Sequence, residues 1–338
     1  MKHYLGIDVG TFESKGVLIA DDGAILASAS RPHKLHVPQA GWAEHNPRED
    51  WWDDFTFISN KLLADSKVRP GDVNAIGASA IGPCMLPVDA AGEPLMNAVL
   101  YGVDARASRE IEDLTAAIGE QVLLDRCGNA LTSQSVGPKI LWLKRNRPKI
   151  YARTRKVLTA TSYLVYRLTG DFVIDHYSAA GSTPLYLVGE RDWSSELAPE
   201  IIEIECLPKL AWTTEIVGAV TRQAANETGL AAGTPVIAGT IDAAAEALSV
   251  GVLDAGDMMI MYGSTIFIIM ITASRVRDPR LWYAPWLFPD QHAAMAGLAT
   301  SGTLSHWFRD QLARDLDPAT AAPAPLPFWH LSWRPHPG

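Results

Sequence analysis

Apolar and polar positions alternate from Tyr4 to Val9, with Leu5, Ile7 and Val9 on one side, and the alternation resumes at Val17 and Ile19. Two strands joined by a turn at Gly10-Thr11 follow from that pattern, the second running over Lys15–Ala20. Similar short apolar runs predict strands over Ile25–Ser30, Val73–Ala80, Met85–Val88, Lys156–Leu158 and Pro235–Gly239. Between them, amphipathic stretches predict helices over Pro47–Leu63, Ala107–Ala117, Val136–Asn146 and Ala160–Thr169. This alternation of strands and helices as far as Leu253 argues an α/β fold.

At 338 residues the chain exceeds what one core usually serves, so two domains are expected. Composition narrows the function. Apolar residues make up 48% and charged residues 20%, an ordinary globular balance. The net charge is −9 with no basic tract interleaved with aromatics, which argues against nucleic acid as a partner. Cys84, Cys127 and Cys206 are too scattered for a metal site or a disulfide framework, and reduced thiols in a cytoplasmic protein account for them. The N-terminus lacks a signal-peptide pattern, and the most apolar segment, Met258 to Ile271, falls short of the roughly 20 residues of a membrane span. No membrane role is expected.

The first hairpin carries chemistry. Asp8 stands at a strand end, where a carboxylate can hold a hydrated magnesium ion (Mg2+). The N–H groups of the Gly10 turn, the hydroxyls of Thr11 and Ser14, and Lys15 can reach phosphate oxygens. The Gly-Lys-Ser/Thr spacing of a P-loop is absent, so a nucleotide would be held by hairpins. The same residues also suit a plain structural turn, with Gly10 supplying positive φ and Asp8 a cap. A second feature, VIAGTIDAAAEALSVGV, places Asp242 between a buried strand and an alanine-rich helix, a favoured catalytic address and equally a helix N-cap. A third, MMIMYGSTIFIIMIT, is a hairpin with Gly263, Ser264 and Thr265 at its tip, either a second phosphate grip or an ordinary turn. His36, His45 and His176 lack metal-ligand spacing, and Trp51 and Trp52 read as packing residues.

Taken together, two hydroxyl-bearing hairpins with an acid between them outline a two-lobed phosphotransferase. The chain from Tyr4 to Arg314 resembles the FGGY family of carbohydrate kinases, its xylulokinase-like branch above all, in the actin, hexokinase and Hsp70 superfamily. The resemblance is carried by IDVGTFESKG at Ile7–Gly16, GWAEHNPREDWW at Gly41–Trp52, YGVDARA with Asp104 and Arg106, PKILWLKRNRP at Pro138–Pro148, SYLVYRLTGDFVIDHYSAAGST at Ser162–Thr183, GTIDAAAEAL at Gly239–Leu248 and MYGSTIF at Met261–Phe267.

The resemblance implies a ribonuclease H-like, actin-like ATPase fold, with one complete N-terminal domain and the start of a second similar one. It implies ATP and Mg2+ as cofactors and a ketose (pentulose) or polyol as acceptor. Asp242 would be the general base and Asp8 the magnesium contact. Gly10, Thr11, Ser14 and Lys15, then Gly263, Ser264 and Thr265, would grip phosphates. Asp104 and Arg106 would contact the sugar, with a surface ion pair as their other reading, and Trp42 would line the cleft. Two departures weaken D-xylulose as the substrate. Ile81-Gly82-Pro83, followed by Cys84, stands where a xylulokinase has Gln-Met-His, leaving Pro83 and Cys84 at the sugar position, and Asp242-Ala243 replaces Asp-Asn.

The expected domains are 1–253, the sugar-binding and catalytic domain, 254–317, a partial nucleotide-binding domain, and 318–338, an irregular tail rich in Pro with Trp329 and Trp333. An altered terminus of a kinase gene would account for that tail, and uncovered apolar hairpin surface would favour self-association, as a homodimer for instance. The rival to a kinase is a catalytically incomplete sugar-binding or interaction protein that keeps the fold. An actin-like ATPase acting on a protein partner ranks last.

Overall fold

A computed structural model describes residues 2–263, 265–298 and 300–312. The chain separates into two compact units, one of Met1–Met259 with Ile269–Ala296 and another of Ile260–Ile268 with the residues from Gly297 on. The expected tail over 318–338 lies outside the described residues.

The first unit is built on a seven-stranded sheet. His3–Val9 pairs antiparallel with Glu13–Ala20, which pairs in turn with Ile25–Pro32. On its other side His3–Val9 runs parallel to Val73–Ala80, beyond which lie Pro235–Ile237 and Ile216–Ala219. Thr240–Ile241 adds a last parallel pairing to the end of Val73–Ala80. The expected strands are therefore present, five of them in this mixed sheet, while Leu86–Val88 and Lys156–Leu158 pair antiparallel with each other outside it.

Alternation explains the packing. Leu5, Ile7, Val9 and Leu18 are buried in one cluster with Trp51, Phe55, Ile58 and Leu62. Those last four come from the stretch expected as one helix, which is in fact a π-helical turn, Pro47–Trp52, continued by the α-helix Asp53–Ser66. Asn46 starts it, its side-chain oxygen accepting from the N–H groups of Arg48 and Glu49. Ala160–Thr169 lies on the same core, its start capped by the Thr159 hydroxyl, which accepts from the Ser162 N–H. A second cluster gathers Met85, Val99, Leu123, Ile140, Leu143 and Leu185. Trp51 and Trp52 are core residues, as expected.

Within the first unit, Trp282–Pro285 also pairs antiparallel with the strand that starts at His292, from Trp282 opposite Met295 to Pro285 opposite His292. The second unit carries the tip between the strands Met258–Tyr262 and Ile266–Thr272, and the helix Gly302–Leu312. No helix among the described residues is long and apolar enough to cross a membrane.

Candidate active site

Parallel pairing brings the two key acids together. Asp8 lies opposite Ser79, and Thr240 lies opposite Ser79 from the other side, so the ends of three neighbouring strands converge where Asp242 opens the helix Asp242–Ser249. Ser79 Oγ donates to Asp8 Oδ1 at 2.7 Å. Burial raises the Asp8 pKa, opposed by that hydrogen bond and by Lys15.

Asp242 is pushed up to about 8, first by burial and then by the charge of Asp8. The helix N-terminus and the Ala243 N–H, which donates to Asp242 Oδ1 at 2.7 Å, favour the anion but do not prevail. Asp242 occupies the first turn itself, and Ile241 is the N-cap, so the capping alternative does not describe this acid. One turn on, Glu246 is raised by burial and again by Asp8.

The approach to Asp242 is tightly held. Gly239 has φ +70°, and a Cβ there would sit 2.1 Å from the Ala78 carbonyl oxygen, so only glycine fits. Thr240 Oγ1 donates to the buried Asp175 at 2.8 Å, as does Thr213 Oγ1 at 3.1 Å, and burial drives Asp175 up to about 6.

At the first tip, Gly10 N–H donates to the Glu13 carbonyl at 3.0 Å. A Cβ on Gly10 would lie 2.8 Å from that same oxygen. Close approach accounts for the glycine; Gly10 is not among the positive-φ residues, so the expectation of a φ requirement is corrected. Thr11 Oγ1 bonds the Tyr101 hydroxyl at 3.0 Å. Lys15 is exposed and pairs with Glu13 at 3.5 Å, within electrostatic reach of Asp8 and Glu246.

Ser14 is a correction. The strand begins at Glu13 and its alternation turns Ser14 inward, where it is fully buried and donates to Asp54 Oδ2 at 2.7 Å. Its hydroxyl braces the tip from below and is closed to phosphate.

Asp104 and Arg106 form a buried assembly, which corrects the surface-pair reading. Arg106 Nε and Nη2 donate to Asp104 at 2.8–3.0 Å, and Nη2 also donates to Glu44 at 2.9 Å. The guanidinium lies 3.9 Å from the Trp42 ring and 5.0 Å from that of Trp142. Its Nη1 is buried without a hydrogen-bond partner among the described residues.

Cys84 is also corrected. Its thiol is fully buried, donates to the Ile81 carbonyl and is pushed up to about 12 by burial, so it offers a substrate nothing. Pro83 is only half-buried. Of the second tip, Gly263 N–H donates to the Thr265 carbonyl at 2.9 Å, and Ser264 lies outside the described residues.

Several residues escaped sequence reading. Lys139 is buried and donates to the Leu100 and Tyr101 carbonyls at 2.6 and 3.3 Å, with burial lowering it to about 8. An isolated lysine among the apolar positions of PKILWL was its only sequence signal. Tyr101, three positions before Asp104, had none.

Among the described residues no group of three or more His, Cys, Asp or Glu could hold a metal by itself. The acids nevertheless suit a hydrated magnesium ion. Asp8 suppresses the ionisation of Asp242 and Glu246, and Glu246 that of Asp242, a cation would relieve that, and magnesium keeps several waters while using one or two carboxylates.

Residues 3–249 match the model of the FGGY family of carbohydrate kinases, N-terminal domain. The chain belongs to the FGGY family. Among FGGY relatives, the xylulose kinase of Escherichia coli (strain K12) is 33% identical over 78% of this chain and 53% of its own length. That of Bacillus subtilis (strain 168) is 29% identical over 82% of this chain and 55% of its own. The crystal structure of xylulose kinase from Rhodospirillum rubrum superposes with a TM-score of 0.89 at 28% identity, covering 94% of this chain and 65% of that one. The FGGY fold is thus confirmed as the actin-like ATPase fold, with the first domain covered. The chain spans about half the length of the curated relatives it matches.

Proposed function

We propose that this chain carries the acceptor and base side of an ATP-dependent carbohydrate kinase. The observation that supports this most is that the strand of Asp8 and the strand leading to Asp242 flank Val73–Ala80 in parallel, close enough for the charge of Asp8 to raise Asp242. In the reaction, the acceptor hydroxyl gives its proton to Asp242 as its oxygen bonds the γ-phosphorus, and the bond from that phosphorus to the bridging oxygen breaks to release ADP. Asp242 must be ionised to act, and a pKa of about 8 in the free chain leaves it mostly protonated at neutral pH.

Asp8 would hold magnesium through its waters, with Asp242 nearby. Bound there with the nucleotide phosphates, the ion would supply charge neutralisation. Lys15 and the Gly10-Thr11 tip would contact phosphates.

The acceptor is a ketose or a polyol. Arg106 Nη1, buried and unpartnered in the free chain, would meet one of its hydroxyls once the Trp42 ring that covers the guanidinium moves aside, with Asp104 fixing the guanidinium. Pro83 would form an apolar edge. The test is coupled ADP release with magnesium-ATP and separate pools of ketopentoses, aldoses and polyols. One pool should give a signal that falls by about 10²–10⁴ in Asp242→Asn. A signal unchanged by that substitution would remove Asp242 as the base, and silence from every pool would count against transfer by this chain.

A further inference from the structure

Three consecutive carbonyls of the first tip are tied from one side. Gly10 O lies 3.0 Å from His33 Nε2, Thr11 O lies 3.1 Å from His45 Nε2, and Phe12 O accepts from the His33 main-chain N–H at 2.9 Å. The chemistry of the partners fixes the protons. His33 Nδ1 lies 2.8 Å from Asp54 Oδ2 and 3.5 Å from the Ser14 hydroxyl, whose own proton goes to that carboxylate at 2.7 Å, so both ring nitrogens of His33 face acceptors and both must donate. His45 Nδ1 instead receives the Trp51 indole N–H at 3.0 Å, and indole can only donate. That leaves the His45 proton on Nε2, where it donates to Thr11.

A trans peptide plane carries its carbonyl and its N–H on opposite sides. Pulling the Gly10 carbonyl toward His33 therefore turns the Thr11 N–H away, and pulling the Thr11 carbonyl toward His45 turns the Phe12 N–H away. Neither N–H has a hydrogen-bond partner among the described residues. We propose that His33, as an imidazolium, and His45, as its neutral Nε2–H form, are positioning residues that orient the peptide planes of the tip so that the Thr11 and Phe12 N–H groups are presented to phosphate oxygens. That these donors meet phosphate rests on the kinase reading; the cradle itself does not.

The electrostatics agree. Burial opposes a charge on His33, but the hydrogen bond and charge of Asp54 outweigh it and the pKa is raised. Burial, then the His33 charge 5.0 Å away between ring centroids, lowers His45 to about 4. The groups facing the pair are Asp54 and Asp50 from the helical side, Glu13 on the hairpin, Arg31 beside Asp54, and His36.

The test is ring-nitrogen NMR on the isotopically labelled chain at pH 7, with amide exchange of Gly10, the tip N–H that the Glu13 carbonyl holds at 3.0 Å. His33 should show two protonated ring nitrogens, and His45 one, at Nε2, persisting until the pH approaches 4. His45→Ala should speed exchange at the tip roughly two- to tenfold while sheet amides stay unchanged, and His45→Gln, which keeps a donor at the Nε2 position, should restore it. A His33 with one ring proton, a His45 protonated on Nδ1, or tip exchange indifferent to both substitutions overturns the proposal. Because the ring signatures come from the unsubstituted chain, a variant that misfolds does not shield it. If the signatures appear while no acceptor yields ADP, the cradle stands and the kinase reading falls.

Discussion

The charge of Asp8 holds Asp242 toward its protonated form, second only to burial in doing so. An acid whose folded pKa exceeds its unfolded value binds more protons when folded. Between about 4 and about 8, rising pH therefore withdraws stability through Asp242. Asp242→Asn removes that liability. The melting temperature of the variant should exceed that of the parent by a margin that grows from pH 5 to pH 8. A margin flat across that range would show that Asp242 titrates normally.

Arg106 should be costly to lose. Its side chain and that of Asp104 are wholly sequestered, and Arg106→Ala would leave Asp104 and Glu44 without their cation. Breaking a buried pair in this way costs about 3–5 kcal/mol. Urea denaturation would read it, and a loss under about 1 kcal/mol would mean water reaches the carboxylates.

Gly239→Ala places a methyl group 2.1 Å from the Ala78 carbonyl at φ +70°. The strand leading to Asp242 must shift, and a loss of about 1–3 kcal/mol is expected from the backbone strain. Thermal unfolding measures it; wild-type stability would show that the loop has room to move.

Tyr101→Phe removes the hydroxyl that meets Thr11 at 3.0 Å. Stability should change by about 1 kcal/mol at most. In a chain that releases ADP, the KM for magnesium-ATP should rise severalfold with kcat less affected, and a rise in the acceptor's KM with that for magnesium-ATP unchanged would place Tyr101 with the acceptor instead.

Local pattern made the scaffold readable. The Leu5-Ile7-Val9 alternation and the Asp242 strand-to-helix junction depend on neighbours in sequence, and both are where the pattern placed them. Ser14 failed because the strand starts at Glu13 and turns Ser14, Gly16, Leu18 and Ala20 inward rather than the side of Val17 and Ile19. The Cys84 contact and the surface-pair alternative for Asp104 and Arg106 failed for another reason: a polar residue's burial is decided by partners far along the chain, here Glu44 and Trp142 for Arg106. His33 was invisible on the same ground, since Asp54 and Gly10, its two acceptors, lie 21 and 23 residues away.

The acids of the site are separated by most of the first unit, and only the parallel pairing of Thr240–Ile241 on Val73–Ala80 unites them. During synthesis from the N-terminus, the first hairpin can close as soon as Ala20 has left the ribosome, because its contacts are local. The acid pair has no such shortcut. A nascent chain stalled before Thr240 would present a finished tip beside an empty strand position, so the two acids meet only after the tip is complete.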